Sequence, residues 1–227
     1  MDEMLKPGVI TGGEFRPFES VFLERWPHHR FCKAGEVIFG QKERGRQVCY
    51  YLISGRANSF LLHENGGAVE LTARRPGSVL PLYFSYSSTA AEMVLEIVAS
   101  TDCDLLVIPR SELRLLMMEK PEIAFAMIDA YASFSNYLDY ELASRLFDSL
   151  ETRVCNFLSL HVGRAGYVKA TQNQIAQAVG GSRVKVTVIL GKLAKEGILE
   201  TGRGKVTILN RERLEDRCSY IARLGSK

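Results

Sequence analysis

Residues Thr171–Leu193, TQNQIAQAVGGSRVKVTVILGKL, carry the strongest local pattern in the chain. Thr171 with Gln174 three residues on is a capping box, in which each side chain satisfies a free backbone N–H at a helix start. Ile175, Ala178 and Val179 follow at i, i+3, i+4 and predict one apolar stripe. Gly180-Gly181 stands where a left-handed residue ends a helix. Ser182 is placed to cap a second helix, with Val186, Ile189, Leu190 and Leu193 at i, i+3, i+4, i+7. A strand reading of Val184, Val186 and Val188, which alternate with Lys185 and Thr187, draws on the β preference of valine. It ignores the cap and leaves the stripe to Leu193 unexplained. Two short amphipathic helices around a glycine turn make a helix-turn-helix.

Working outward, Gly197 ends the second helix, and Ile198-Leu199 and Val206–Leu209 flank TGRGK. Two β-type runs about a glycine-containing turn read as a hairpin, with Arg203 and Lys205 at its tip. Helix-turn-helix plus hairpin is a winged helix. The pattern T-x-x-x-I-A-x-x-V-G-x-S-R, then V-x-x-I-L-x-x-L and K-E-G-I-L, resembles the Crp/Fnr family of bacterial transcription regulators. The resemblance implies a homodimer on double-stranded DNA, with RNA polymerase and an unidentified small effector as further partners.

Charge divides along the chain. The net charge of +3 combines 14 Lys+Arg against 6 Asp+Glu in residues 151–227 with 15 against 20 in residues 1–150. A +8 segment beside a −5 segment points to a polyanion met only by the C-terminal part. At 227 residues, 46% hydrophobic and 24% charged, the chain has the make-up of a globular protein of one or two domains. MDEMLKPGVITGG has acids and glycines where a signal peptide needs a basic and then an apolar block. No run approaches the roughly 20 apolar residues of a membrane span, so the expected location is cytoplasmic, without membrane contact. Five scattered cysteines read as reduced packing residues.

From about Phe15 to Ile108 the chain reads as β-structure. Short runs at residues 37–39, 49–53, 59–62, 69–71, 95–98 and 105–108 are separated by glycines at roughly ten-residue steps, the pattern of a sandwich or barrel. K-A-G-E-V-I-F, Y-L-I-S-G-R-A and R-P-G-S-V resemble the family's jelly-roll sensor domain. Pro109 and Ser111 introduce a helical stretch, and no Gly or Pro interrupts Glu122–Asp148. On that helix Ile123, Met127, Ala130, Phe134, Tyr137 and Glu141 form one stripe, and Met127, Tyr131, Phe134, Leu138 and Leu142 a second. Two stripes let a helix pack on its own domain and on a partner. The expected α+β fold is a β jelly-roll sensor domain (1–118), a dimerisation helix (119–147) and a winged helix-turn-helix (148–227).

A recognition helix presents its N-terminal side chains to base edges in the major groove. The outward set is Arg183, Val184, Lys185, Thr187, Val188 and Lys192. Arg183 suits guanine through its bidentate fork, and the two valines offer methyl groups to thymine. Gln172, Ser182, Arg203 and Lys205 are expected at phosphates, which position without reading sequence. The family's cyclic-AMP-type operators are read by Arg-Glu-x-x-x-Arg, and here Val184 and Val188 replace the glutamate and second arginine. Pro81-Leu82 stands at the family's ribose-binding Gly-Glu position, and no Lys or Arg occurs from Pro76 to Pro109. Cyclic nucleotide binding is therefore not expected. Tyr83, Phe84 and Tyr86 are candidates for an apolar or aromatic effector. No iron–sulfur cysteine cluster, His-x-His metal motif, nucleophile elbow or phosphate loop is present, so no cofactor, metal or catalytic residue is expected. The alternative reading is a jelly-roll enzyme or small-molecule-binding protein whose winged helix makes protein contacts.

Overall fold

The computed structural model describes residues 12–40, 42, 47–64, 68–82, 95–163 and 165–219. The chain divides into two compact units, one ending at Ser135 and the other beginning at Asn136. In the first unit a short helix, α1 (Glu19–Arg25), precedes strands β1 (His29–Cys32), β2 (Val37–Phe39), β3 (Val48–Ser54), β4 (Ala57–Leu62), β5 (Ala68–Arg74), β6 (Ser78–Leu80), β7 (Leu95–Ala99) and β8 (Cys103–Pro109). These form two antiparallel sheets in the orders β1-β8-β3-β6 and β2-β7-β4-β5. That order is a jelly roll.

Burial explains which strands were legible. Tyr50, Leu52 and Leu105 pack with Ile38, Ala57 and Ile97 of the other sheet. The opposite face of β3 and β8 places Cys49, Tyr51, Leu106 and Ile108 against Phe22 of α1 and against the helices that follow. A sheet covered on both faces needs no polar alternation, and Cys49–Leu52 is a continuous buried run. The β expectation from Phe15 overlooked α1, whose Phe22 and Trp26, four residues apart, are both buried. Trp26 Nε1 donates to Glu112 Oε2 at 2.5 Å, and the Tyr51 hydroxyl donates to Glu19 Oε2 at 2.6 Å. Strands β1 and β6 also went unread.

Helix α2 (Arg110–Glu119) leads into α3 (Pro121–Phe147), which opens on Pro121, where the missing N–H costs nothing. The two stripes of α3 part company. Ile123, Met127, Ala130 and Tyr137 are buried, while Ile128, Tyr131, Leu138 and Leu142 are exposed. Phe134 was placed in both stripes, and it lies partly buried against the core of the first unit. The outward seam thus runs Ile128, Tyr131, half-buried Ser135, Leu138 and Leu142, with heptad spacing 3, 4, 3, 4. Among the described residues no helix is long and apolar enough to cross a membrane.

The second unit continues with α4 (Leu150–His161), capped by Ser149, whose side chain accepts from Thr152 N. A short strand β9 (Tyr167–Val168) follows, then α5 (Gln172–Ala178), α6 (Arg183–Lys195), the hairpin β10 (Leu199–Gly202) and β11 (Lys205–Ile208), and α7 (Arg211–Glu215). Val154 and Leu158 of α4, Ile175 and Val179 of α5, and Val186, Leu190 and Leu193 of α6 share one core with Ile198 and Val206. Burying a side chain such as Leu190 stabilises by about 1.5–3 kcal/mol.

Candidate nucleic-acid interface

The α5–α6 corner is made by local chemistry that the sequence displays openly. Thr171 Oγ1 accepts from Gln174 N, and Gln174 Oε1 accepts from Thr171 N, completing the capping box. The buried set of α5 is Ile175, Ala176 and Val179; Ala178, expected inside, is exposed. Gly180, at φ +63°, closes the helix, with Gly180 N bonding to Gln177 O and Gly181 N to Ala176 O. Those two bonds are a Schellman end, which a side chain at Gly180 would strain. Ser182 then caps α6, its Oγ accepting from Lys185 N at 3.4 Å. The same end recurs at Gly197, where Ile198 N bonds to Leu193 O.

With Val186, Leu190 and Leu193 fully buried, α6 turns Arg183, Val184, Lys185, Thr187 and Val188 to solvent. Val184 is 73% and Val188 66% exposed, large values for apolar side chains on a helix with a buried face. The wing lies beside this helix start. Gly202 and Lys205 pair across a two-residue turn, Arg203-Gly204, and β9 adds a third strand through Val168↔Val206 and Tyr167↔Thr207. That third strand, absent from the sequence reading because it is two residues long, gives Lys205 a platform: its Nζ lies 4.4 Å from the centre of the Tyr167 ring. Arg183, Thr171, Gln172, Asn173, Thr201 and Lys205 line a single concavity between the start of α5, the start of α6 and the wing. Thr171, Asn173 and Thr201 were not among the predicted contact residues. Their signal, a polar residue beside each helix cap or turn, is too common to single them out.

Three predicted residues, Thr187, Gln172 and Lys192, have other engagements. Thr187 Oγ1 donates to Gln172 Oε1 at 2.7 Å and approaches Arg183 O at 2.9 Å, tying α6 to α5. Gln172 thus holds α6 against the start of α5. Lys192 Nζ sits 2.7 Å from Glu151 Oε2 on α4, and Arg217 bridges Glu151 at 3.1 Å and Glu196 at 2.9 Å. This network holds α4, α6 and the segment after α7 together. The expected sensor contacts Tyr83, Phe84 and Tyr86 lie outside the described residues. The described cysteines are all buried and reduced, and burial pushes the Cys155 thiol up to about 12.

A jelly roll, a long helix and a winged helix-turn-helix with an open basic face define an effector-domain transcription regulator. Two family models match: the Crp-like helix-turn-helix domain over residues 152–217 and the cyclic nucleotide-binding domain over residues 29–120. The chain is similar to transcriptional regulator SdrP of Thermus thermophilus, 27% identical over 186 residues, spanning 81% of this chain and 91% of that one. It is also similar to the cyclic AMP receptor protein of Thermus thermophilus, 28% identical over 191 residues, with 82% and 86% covered. Among solved structures, OCPA-complexed CprK matches with a TM-score of 0.73 at 15% identity, over 94% of this chain and 100% of that one, a likeness of fold. The chain belongs to the Crp/Fnr family of transcription regulators.

Proposed function

We propose that this regulator acts as a homodimer joined along the exposed seam of α3. Arg183, Val184, Lys185 and Val188 read bases in the major groove, and Arg203 and Lys205 grip the flanking backbone. A small effector acts through the β-roll. One observation carries the reading: the solvent-facing start of α6 shares a concavity with the wing, so base-reading and phosphate-gripping groups lie side by side. Lys192 is left out of the contact set because Glu151 occupies it. Ser182 acts there as a helix cap, and the domain boundary is kept at Phe147, ahead of the α4 cap.

The operator differs from the cyclic-AMP type, since Val184 and Val188 offer methyl groups where the family's familiar readers carry charge. Cyclic nucleotides are not the effector, because Pro81 and Leu82 supply no ribose partner. The relatives named above are regulators by name, and the enzyme alternative draws no support from them. The test is selection of bound DNA from a random pool. A two-fold-symmetric site with a guanine preference that Arg183→Ala erases is expected. Recovery of unrelated sequences, bound equally by wild type and variant, overturns the reading.

A further inference from the structure

We propose that the segment after α7 closes a polar clasp on the α3–α4 junction, and that Ser219, Asn156 and Arg153 of this clasp set the half-site spacing the regulator accepts. The proposal rests on the reading of the chain as a dimeric DNA-binding regulator. Between Phe147, the last residue of α3, and Leu150, the first of α4, stand only Asp148 and the cap Ser149. The apolar core of the winged helix starts at Leu150 and takes in no side chain of α3 among the described residues. Hydrogen bonds tie the last turns of α3 to the winged helix instead. Asn156 of α4, 3% exposed, is their centre. Its Nδ2 donates to Asp148 Oδ2 and to Ser219 Oγ, each at 3.0 Å, and its Oδ1 accepts from Ser219 N at 2.9 Å. The carboxylate needs a donor and the backbone N–H an acceptor, so only this orientation of the amide satisfies both.

Two further bonds carry the clasp into α3. Ser144 Oγ donates to Asp148 Oδ2 at 2.8 Å, and the Ser219 side chain, which accepts from Asn156, is also bonded to Tyr140. A residue past α7 thus holds α3 and α4 together. Arg153 extends the network to the recognition corner. Its Nη1 donates to Asp148 O at 2.8 Å, and its Nε donates at 2.9 Å to the carbonyl of Val179, the C-cap of α5. One planar guanidinium therefore links the α5–α6 corner to the end of α3 with little freedom to reorient. Apolar packing has no direction, whereas a satisfied buried polar network specifies one arrangement. DNA supplies the need for one arrangement. Two recognition helices of a dimer must enter grooves about one helical turn apart, roughly 34–36 Å. An error of about 3.4 Å displaces one of them by a base pair. Ser219, Asn156 and Arg153 are positioning residues, acting through the angle between α3 and α6 and not by contact with bases.

The test is binding of the full chain to operators whose two half-sites, chosen by wild type from a random pool, stand about 8 to 13 base pairs apart. Wild type is expected to bind one spacing at least about tenfold tighter than the spacings one base pair shorter or longer. Arg153→Met and Asn156→Leu, close in size to the residues replaced, should bind those three spacings within about threefold of one another. Base preference inside each half-site should stay that of wild type. Arg153→Lys, whose ammonium lacks the fork, should fall between. If Asn156→Leu does not fold, Ser219→Ala combined with Tyr140→Phe opens the same clasp at half-buried positions and carries the test. Wild-type spacing preference in these variants overturns the proposal. So does an equal loss of affinity at every spacing, which a merely structural role would give. Altered base preference overturns it too, since the clasp would then act on the reading helix itself. A wild type that selects half-sites but ignores their spacing sinks the clasp and leaves the regulator standing. A wild type that selects no DNA sinks the regulator reading, and the clasp with it.

Discussion

Arg74 and Arg183 carry the same charge in opposite surroundings. Arg74 is buried beside the Phe134 ring, and Arg183 stands in water at the start of α6. In water a single cation binds weakly and its reach is cut by salt, so the DNA face needs many of them. The second unit supplies them as Arg183, Lys185, Arg203 and Lys205, spread over a helix start and a wing. A buried guanidinium such as Arg74 meets little competing solvent and is held by its own domain, the Phe134 ring among its contacts. The basic face is thus built to hold any DNA and discriminate by a few side chains, whereas Arg74 is committed to the packing of its own domain.

Salt gives the largest test of this contrast. DNA affinity should fall about a thousandfold between roughly 50 and 200 mM salt, as counterion release requires for several phosphate contacts. The unfolding midpoint of the full chain, in which Arg74 is buried, should move by no more than about 3 °C over the same range. Fluorescence anisotropy and calorimetry at matched salt measure both. A midpoint that falls steeply with salt, as the affinity does, would break the comparison.

Breaking the α3 seam comes next. Leu142→Asp puts a charge on the exposed stripe and should weaken self-association by about a hundredfold, read by sedimentation velocity. Phe134→Asp is the contrasting case. It should lower the unfolding midpoint, since Phe134 packs against the core of the first unit and beneath Arg74. If Phe134→Asp dissociates a dimer while Leu142→Asp leaves it intact, the seam lies on the other face.

On the recognition helix, Arg183→Ala should cost about 1–3 kcal/mol on the selected operator and flatten preference at one base position. Lys205→Ala should weaken all sequences alike and reduce the salt slope by about one phosphate contact. Operator selection repeated with each variant assigns the roles. The smallest effect is expected from Thr187→Val, which keeps shape and removes the bond to Gln172. Its loss should reduce operator affinity about threefold to tenfold through a looser α5–α6 corner, with base preference unchanged. A changed base preference would make Thr187 a reader.

Much of the molecule could be read because its signals are local. The capping box at Thr171, the Gly180 turn, the Ser182 cap and the stripe to Leu193 each depend on residues within one or two helical turns. Backbone N–H groups at a helix end have to be met nearby, and that requirement writes itself into short patterns. Hairpin and strands followed for the same reason, their polar and glycine punctuation lying next to the runs it ends. Where reading failed, the deciding partner was distant. The length of β9 reveals nothing until β11 pairs with it, and α1 is held by Tyr51 and Glu112, far along the chain.

Residue type and spacing alone determined the winged helix, a β-rich first domain of sandwich or barrel type and the basic C-terminal third, while the jelly roll and the departures from cyclic-AMP-type operator and ribose residues came through the family resemblance. Tertiary structure decided which stripe of α3 faces inward, that Lys192 belongs to Glu151 and Thr187 to Gln172, and that Arg74 is buried beside Phe134. Nothing in a strand's own sequence says what its inward face will meet. Burial is a property of the elements packed around a strand.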